Sequence, residues 1–272
     1  MKTNKYTLIT GASTGLGKAL AEECASLGTN LILTALPGEG IEMLGKQFSK
    51  NYNVCVRTFE ADFTEFGAIE QFSQDITGFE VNILINNAGV GGTKSFLDAT
   101  PEYIDQIVLL NMRALVLLTR LLLPVLKQQE KAYILNIASM ASFGPMPFKT
   151  VYPASKAFVY SFSRGLSAEL KGTGIQVSVA HPGGMRTNPE VSRRIDSHNR
   201  LIRSTTLSAK AVARICISRL LKNDDLIIPG YMNKVSWLML KIVPVWLRLK
   251  IMRASLQKEL ITSGQFAGGV CK

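Results

Sequence analysis

The chain reads as a three-layer α/β domain, a doubly wound seven-stranded parallel sheet with helices on both faces. Three observations point there. Short apolar, β-rich runs alternate with helical stretches through nearly all of its 272 residues, the pattern of a parallel sheet wound by crossover helices. The first run passes through a glycine-rich loop into a helix. The fourth ends in Asn86-Asn87-Ala88-Gly89, small and amide residues at the carboxyl edge where such sheets take their ligands. One domain spanning residues 1–272 is expected, and a chain this long buries a sizeable core. No internal repeat, low-complexity tract or interdomain linker divides it.

The opening run, Tyr6-Thr7-Leu8-Ile9-Thr10, leads into Gly11-Ala12-Ser13-Thr14-Gly15-Leu16-Gly17 and a helical stretch from Lys18 to Leu27. Strand, glycine loop and helix in that order make a phosphate cradle. Gly11 permits the tight turn, Gly15 lets the backbone approach a pyrophosphate, and Gly17 lets the helix pack on the strand. The helix N-terminus adds unpaired N–H groups and a positive dipole end. The spacing is G-x-x-x-G-x-G, a variant of the Rossmann-like fingerprint. A second strand runs from Asn30 to Leu36. At its end a carboxylate would hold an adenine-ribose hydroxyl and an arginine a 2′-phosphate. Ala35-Leu36-Pro37-Gly38 offers neither and Glu39 falls a little too far along, so the reading leans to NADP(H) over NAD(H). A third strand spans Val54 to Phe59, ahead of Asp62, and a fourth spans Val81 to Ile85.

The stretch from Pro101 to Lys127 is a helix apolar nearly all round, with Val108-Leu109-Leu110 and Leu121-Leu122-Leu123, and should be buried, partly in a subunit contact. Ala132 to Ala138 reads as a buried fifth strand with Ser139 at its end. Tyr152 and Lys156 stand four apart in Tyr-Pro-Ala-Ser-Lys, so on a helix they project from one face, with Pro153 harmless in the first turn. A hydroxyl, a phenol and an ammonium then meet where that strand ends beside that helix, the set that proton transfer to a carbonyl oxygen needs. A free Tyr titrates near ~10, and bringing it toward ~7 takes about 4 kcal/mol. One cation at ~4 Å supplies roughly that at an effective dielectric of ~20. Further strands are expected from Gln176 to Ala180 and from Leu226 to Pro229.

With these pieces in order, the chain resembles the short-chain dehydrogenases/reductases in their single-domain form, over nearly its whole length. The residues that carry the resemblance are Thr10-Gly11-x-x-x-Gly15-x-Gly17, Asp62, Asn86-Asn87-Ala88-Gly89, Asn111, Ser139, Tyr152-x-x-x-Lys156, and Pro182-Gly183 with Thr187. The resemblance implies Tyr152 as proton donor and acceptor and Ser139 as the group that polarises the substrate oxygen. Lys156 would bind the nicotinamide ribose and depress the Tyr152 pKa, and Asn111 would hold a water in the proton relay. It also implies a cofactor site of Gly11, Ser13, Thr14, Gly15, Leu16 and Gly17, with Asp62 on adenine, Asn87, Ala88 and Gly89 along the cofactor, and Pro182, Gly183 and Thr187 beside the nicotinamide. In that family residues 184–207 would be a substrate lid. Thr14 stands where many NADPH users carry a basic residue, which weighs against the lean to NADP(H).

Composition narrows the chemistry. Cys24, Cys55, Cys216 and Cys271 show no paired spacing and no His neighbour suited to a metal, so idle thiols of a reducing compartment are expected, with no metal site. Only His181 and His198 occur, and His181, closing a strand before Pro182, reads as structural. No secretory signal fits the first residues, and a cytoplasmic protein is expected. Net charge is uneven: Gly183 to Lys258 holds fifteen Lys/Arg and four Asp/Glu, and the rest sixteen of each. Arg186, Arg193, Arg194, Arg200 and Arg203 make the lid basic, which either draws an anionic substrate or is a solvated loop.

The apolar-basic extension, residues 231–258, is interrupted too often by charge and by Pro244 to span a bilayer. Peripheral contact with an anionic membrane, the wall of a pocket for a long apolar substrate, and a subunit contact all remain open for it. No nucleic-acid motif appears. The reading is an NAD(P)(H)-dependent oxidoreductase, a homo-oligomer, interconverting a carbonyl and an alcohol on an apolar or lipid-like small molecule. The alternative is a nucleotide-binding regulator or scaffold with the same fold and no turnover, and a dehydratase or epimerase is a minor third.

Overall fold

The structure, a computed structural model, describes residues 4–186 and 206–262. The central strands of the sheet are short and largely apolar, because both of their faces are covered, while the edge strand with Arg57 and Glu60 is partly exposed. β1 (Lys5–Ile9), β2 (Asn30–Ala35), β3 (Val56–Glu60), β4 (Glu80–Asn86), β5 (Ala132–Ile137) and β6 (Ile175–Ala180) build the sheet with a late strand, β9 (Leu226–Ile227). The seven lie in the order β3-β2-β1-β4-β5-β6-β9, all pairings parallel. The strand order reverses between β1 and β4, where a doubly wound sheet opens a crevice at its carboxyl edge. The final strand is shorter than the sequence suggests, since Pro229 has no N–H for the ladder and Gly230 turns away at φ +92°. β7 (Met185–Arg186) pairs with β8 (Leu207–Ser208) in a small two-stranded sheet at the ends of the expected lid; the remainder of the lid, with Thr187, Arg193, Arg194, Arg200 and Arg203, lies outside the described residues, as do His198 and Cys271.

Side chains alternate across the sheet into two cores. On one face Ile9, Leu31 and Leu33 pack with Leu20 of α1 (Gly15–Ser26), Ile41 of α2 (Ile41–Tyr52) and Ile217 of α7 (Ala209–Leu221). On the other, Leu8, Ile32 and Leu84 meet Phe72 of α3 (Ala68–Asp75), Leu118 and Leu122 of α5 (Leu115–Lys127) and Leu166 of α6 (Val151–Glu169).

The helix expected from Pro101 to Lys127 keeps those bounds but is not uniform. α4 (Pro101–Val108) and α5 are joined by a π turn, Leu109–Ala114, with Asn111 buried inside it. By length and hydropathy this helix could cross a bilayer, yet Leu118, Leu122 and Leu126 pack in the core beneath it and Ile107 is buried as well. A chain of buried amides ties its far half to the neighbouring elements. Asn86 donates to Thr119 Oγ1 (2.9 Å) and to Asn136 Oδ1 (2.8 Å), and Asn136 donates to Ser163 Oγ (2.9 Å). The extension breaks at Pro244 into α8 (Tyr231–Ile242) and α9 (Val245–Thr262).

Candidate active site

A cleft of about 570 Å³ opens at the carboxyl edge, lined at one end by the glycine loop and at the other by Ser139, Tyr152 and Lys156. Gly11 and Gly15 hold φ +63° and +56°, conformations that exclude most side chains. A Cβ at Gly17 would lie 1.9 Å from the Gly11 carbonyl oxygen, so only glycine lets α1 approach the strand end. The loop is clamped from β4: Asn87 Nδ2 donates to Thr10 O (2.9 Å) and Gly11 O (3.0 Å), while Thr10 Oγ1 accepts from Asn87 N (3.0 Å) and Ala88 N (2.9 Å). α1 has no side-chain cap hydrogen bond at Thr14 and no acidic residue in its first turn. Its open N–H groups face the cleft wall that Gly15, Leu16 and Gly17 form, a fit for a diphosphate. Gly89 keeps a second cradle empty, since a Cβ there would meet Asn111 Oδ1 at 3.0 Å and Lys156 Nζ at 3.2 Å. Both cradles suit a dinucleotide lying across the strand ends.

At the chemical end, Ser139 caps a 3₁₀ turn, Met140–Phe143, its Oγ accepting from Ala141 N at 3.1 Å. Its hydroxyl also hydrogen-bonds the Tyr152 phenol at the cleft wall. His181, buried at the end of β6, holds the same segment: its Nδ1 lies 3.0 Å from Ser139 O and 2.8 Å from Ser142 Oγ. Burial lowers the His181 pKa to about 4, which keeps it neutral. Gly91, which sequence reasoning missed, packs on the reactive ring, where a Cβ would come within 2.3 Å of Tyr152 Cδ2.

The electrostatics correct the simple pair picture. Lys156 Nζ stands 6.0 Å from the Tyr152 ring centroid and donates to Ile137 O at 3.0 Å. Burial lowers its pKa to about 8. Burial likewise raises Tyr152 above its ordinary value, with Ser139 pulling weakly the other way. In the cofactor-free chain burial is therefore the larger influence on the phenol. Asn111 has a positioning part as well. Its Nδ2 donates to Val90 O (2.8 Å) and Ser155 Oγ (3.0 Å), and its Oδ1 accepts from Val90 N (2.8 Å). Its side chain thus ties the loop after β4 to the first turns of α6.

Two carboxylates mark the nucleotide end. Asp62 Oδ1 closes a local turn, accepting from Thr64 N (2.9 Å) and Thr64 Oγ1 (2.7 Å), and the cleft wall there is made by Ala61 and Phe63. Glu39, judged too distant, does reach the cleft and accepts a hydrogen bond from Ser13 of the glycine loop. The left-handed turn at Gly38 and Gly40 folds it back, a bend that strand-end spacing does not reveal. Asn87, Ala88, Gly89, Pro182 and Gly183 all line the cleft; Thr187 lies outside the described residues. Cys24 and Cys216 are buried, with thiols pushed up to about 12, and among the described residues no group of side chains could hold a metal ion.

Comparison with known proteins agrees with this geometry. A family model described as short chain dehydrogenase matches residues 5–197. A very-long-chain 3-oxoacyl-CoA reductase of Danio rerio is 35% identical over 182 residues, 65% of this chain and 58% of that protein. A 17-beta-hydroxysteroid dehydrogenase type 3 of Mus musculus is 33% identical over 186 residues, 67% of this chain and 61% of its own length. The match thus spans about three fifths of these relatives. Among solved structures, a short-chain dehydrogenase from Sphingobium yanoikuyae in complex with NADPH superposes with TM-score 0.76 at 26% identity, covering 98% of this chain and 99% of that one. A bulky-bulky ketone specific alcohol dehydrogenase from Comamonas testosteroni gives TM-score 0.76 at 28% identity, with coverage of 89% and 92%.

Proposed function

The chain belongs to the short-chain dehydrogenase family, and on that footing we propose that it is an NAD(P)(H)-dependent oxidoreductase interconverting a carbonyl and an alcohol. The observation that carries this is the single cleft whose walls include both the glycine loop at the α1 N-terminus and the Ser139, Tyr152, Lys156 trio. A bound nicotinamide dinucleotide would supply or accept the hydride. The chain's own part is to place the substrate oxygen and to handle its proton. Ser139 turns its O–H from the phenol to that oxygen and fixes its position. Tyr152, held protonated by burial, gives up the phenolic proton as the oxygen gains charge, and takes it back in the reverse direction. Lys156 has one N–H on Ile137 O; its remaining donors serve a ribose hydroxyl, and its charge favours the phenolate formed in the step. Asn111 keeps the loop at Val90 from drifting into the cleft.

The names of the relatives, an oxoacyl-CoA reductase and a hydroxysteroid dehydrogenase, support a bulky, lipid-like substrate. Of the two cofactor forms, NADP(H) fits the lack of a carboxylate at Ala35 and Leu36 and is the ligand of the Sphingobium structure. Glu39 opposes it. Tyr152→Phe tests the whole reading. Carbonyl reduction should fall by about 10²–10⁴ while dinucleotide binding, followed by fluorescence, stays as in the parent. A chain that binds neither NADH nor NADPH, or a variant that turns over unchanged, refutes the proposal.

A further inference from the structure

The inner side of α8 is tied to the domain. Asn233 is buried and donates to Pro229 O (2.7 Å), and Trp237 meets Phe143 edge-on at 6.1 Å. The outer side is apolar. Tyr231, Val235, Leu238, Met239 and Ile242 recur at the spacing of one helical stripe, and that stripe faces solvent: Tyr231 is 79% exposed, Leu238 55% and Ile242 69%. Trp246, 68% exposed, carries it past Pro244 into α9. A helix that only covers its own domain turns such a stripe inward; α8 turns it out.

The charges around the stripe have one sign. From Tyr231 to Lys258 the sequence holds six Lys or Arg and no Asp or Glu. On the helical wheel Lys234 and Lys241 border the stripe along one edge. Neither they nor Lys250 or Arg253 pair with a carboxylate among the described residues. Lys241 lies over the Trp237 ring at 3.9 Å, and Arg248 is drawn inward onto Phe143 O at 3.1 Å. The apolar surface continues to the site's mouth. Exposed Phe96 and Leu97 stand across an open groove of about 700 Å³ from Leu249 and Arg253 of α9. That groove shares Phe148 and Thr150 with a narrow recess that Tyr152 closes.

We infer that the outer face of α8 and the start of α9 rest on an anionic phospholipid surface, the stripe at the headgroup–acyl boundary and the lysines among the phosphates. A second copy of the chain fits this face less well, because self-pairing would set like charges against each other with no acid to offset them. The inference does not depend on turnover.

Flotation of the full chain with vesicles of phosphatidylcholine alone, or mixed with phosphatidylglycerol, tests it. The chain should rise with the mixed vesicles, and less so at high salt. Leu238→Glu with Ile242→Glu should abolish flotation, and Lys234→Gln and Lys241→Gln should each weaken it about fivefold. Unchanged dinucleotide binding by these exposed-face variants verifies that they are folded. Equal recovery of the parent chain in the aqueous fraction with both vesicle types overturns the inference, as does flotation of the Glu variant to the parental extent. So does light scattering that shows a dimer which the Glu variant splits, with no vesicle binding by the parent.

Discussion

Lys156 is the residue on which most else turns, and its energetics can be measured without any substrate. The folded pKa near 8 lies below the unfolded value of 10.5. Between those limits the unfolded chain binds a proton that the native chain does not, so stability rises with pH there. The shift corresponds to about 3 kcal/mol. Urea unfolding of the cofactor-free parent and of Lys156→Met should therefore diverge across that window, the parent gaining about 3 kcal/mol relative to the variant. A flat difference would mean that the buried ammonium is compensated by a partner other than Ile137 O. Glu39 carries a second prediction. Its carboxylate stands on Ser13, where a 2′-phosphate would approach the glycine loop. Glu39→Gln should move the NADPH-to-NADH affinity ratio about tenfold toward NADPH, a modest effect because the residue is exposed and screened. Titration of both dinucleotides by fluorescence reads it directly.

Between elements, the reactive ring depends on the loop after β4 as much as on its own helix. Gly91 lies so close to Tyr152 that a methyl group must displace the ring. Gly91→Ala should lower kcat about 10²-fold by misplacing the phenol and leave dinucleotide binding intact; steady-state kinetics beside a binding titration separates the two. The same contrast explains what could be read in the chain beforehand. The glycine loop and the Tyr152–Lys156 spacing are local patterns, each fixed by one turn or one helix, and both lie where they were expected. Gly91, Glu39 and the Asn86–Asn136 amide pair act across elements, and no spacing along the chain predicts which side chain they will meet. Asn111 was legible as a candidate site residue, but its bonds to Val90 and Ser155 were not, because they need the loop and α6 in place. The weight of burial on Tyr152 was hidden for a related reason: it is set by the whole cleft, and one nearby charge does not report it.

Across the molecule, the sheet order places β1 and β4 side by side, so the glycine loop and the Asn86-Asn87-Ala88-Gly89 turn share one edge. Apolar runs and helix spacing were sufficient to foresee that sheet, since its central strands are buried on both sides. What they could not foresee was the interruption of the longest helix. A π turn holds one residue more than the helix it interrupts, and both halves keep the faces of a regular helix one residue shorter. Loss of a single codon within Leu109–Ala114 would consequently spare Ile107 on one side and Leu118 and Leu122 on the other. It would instead unhook Asn111 from Val90. A one-residue deletion in this turn is thus registered first at the cleft, and the scaffold would carry such a lineage onward, still folded.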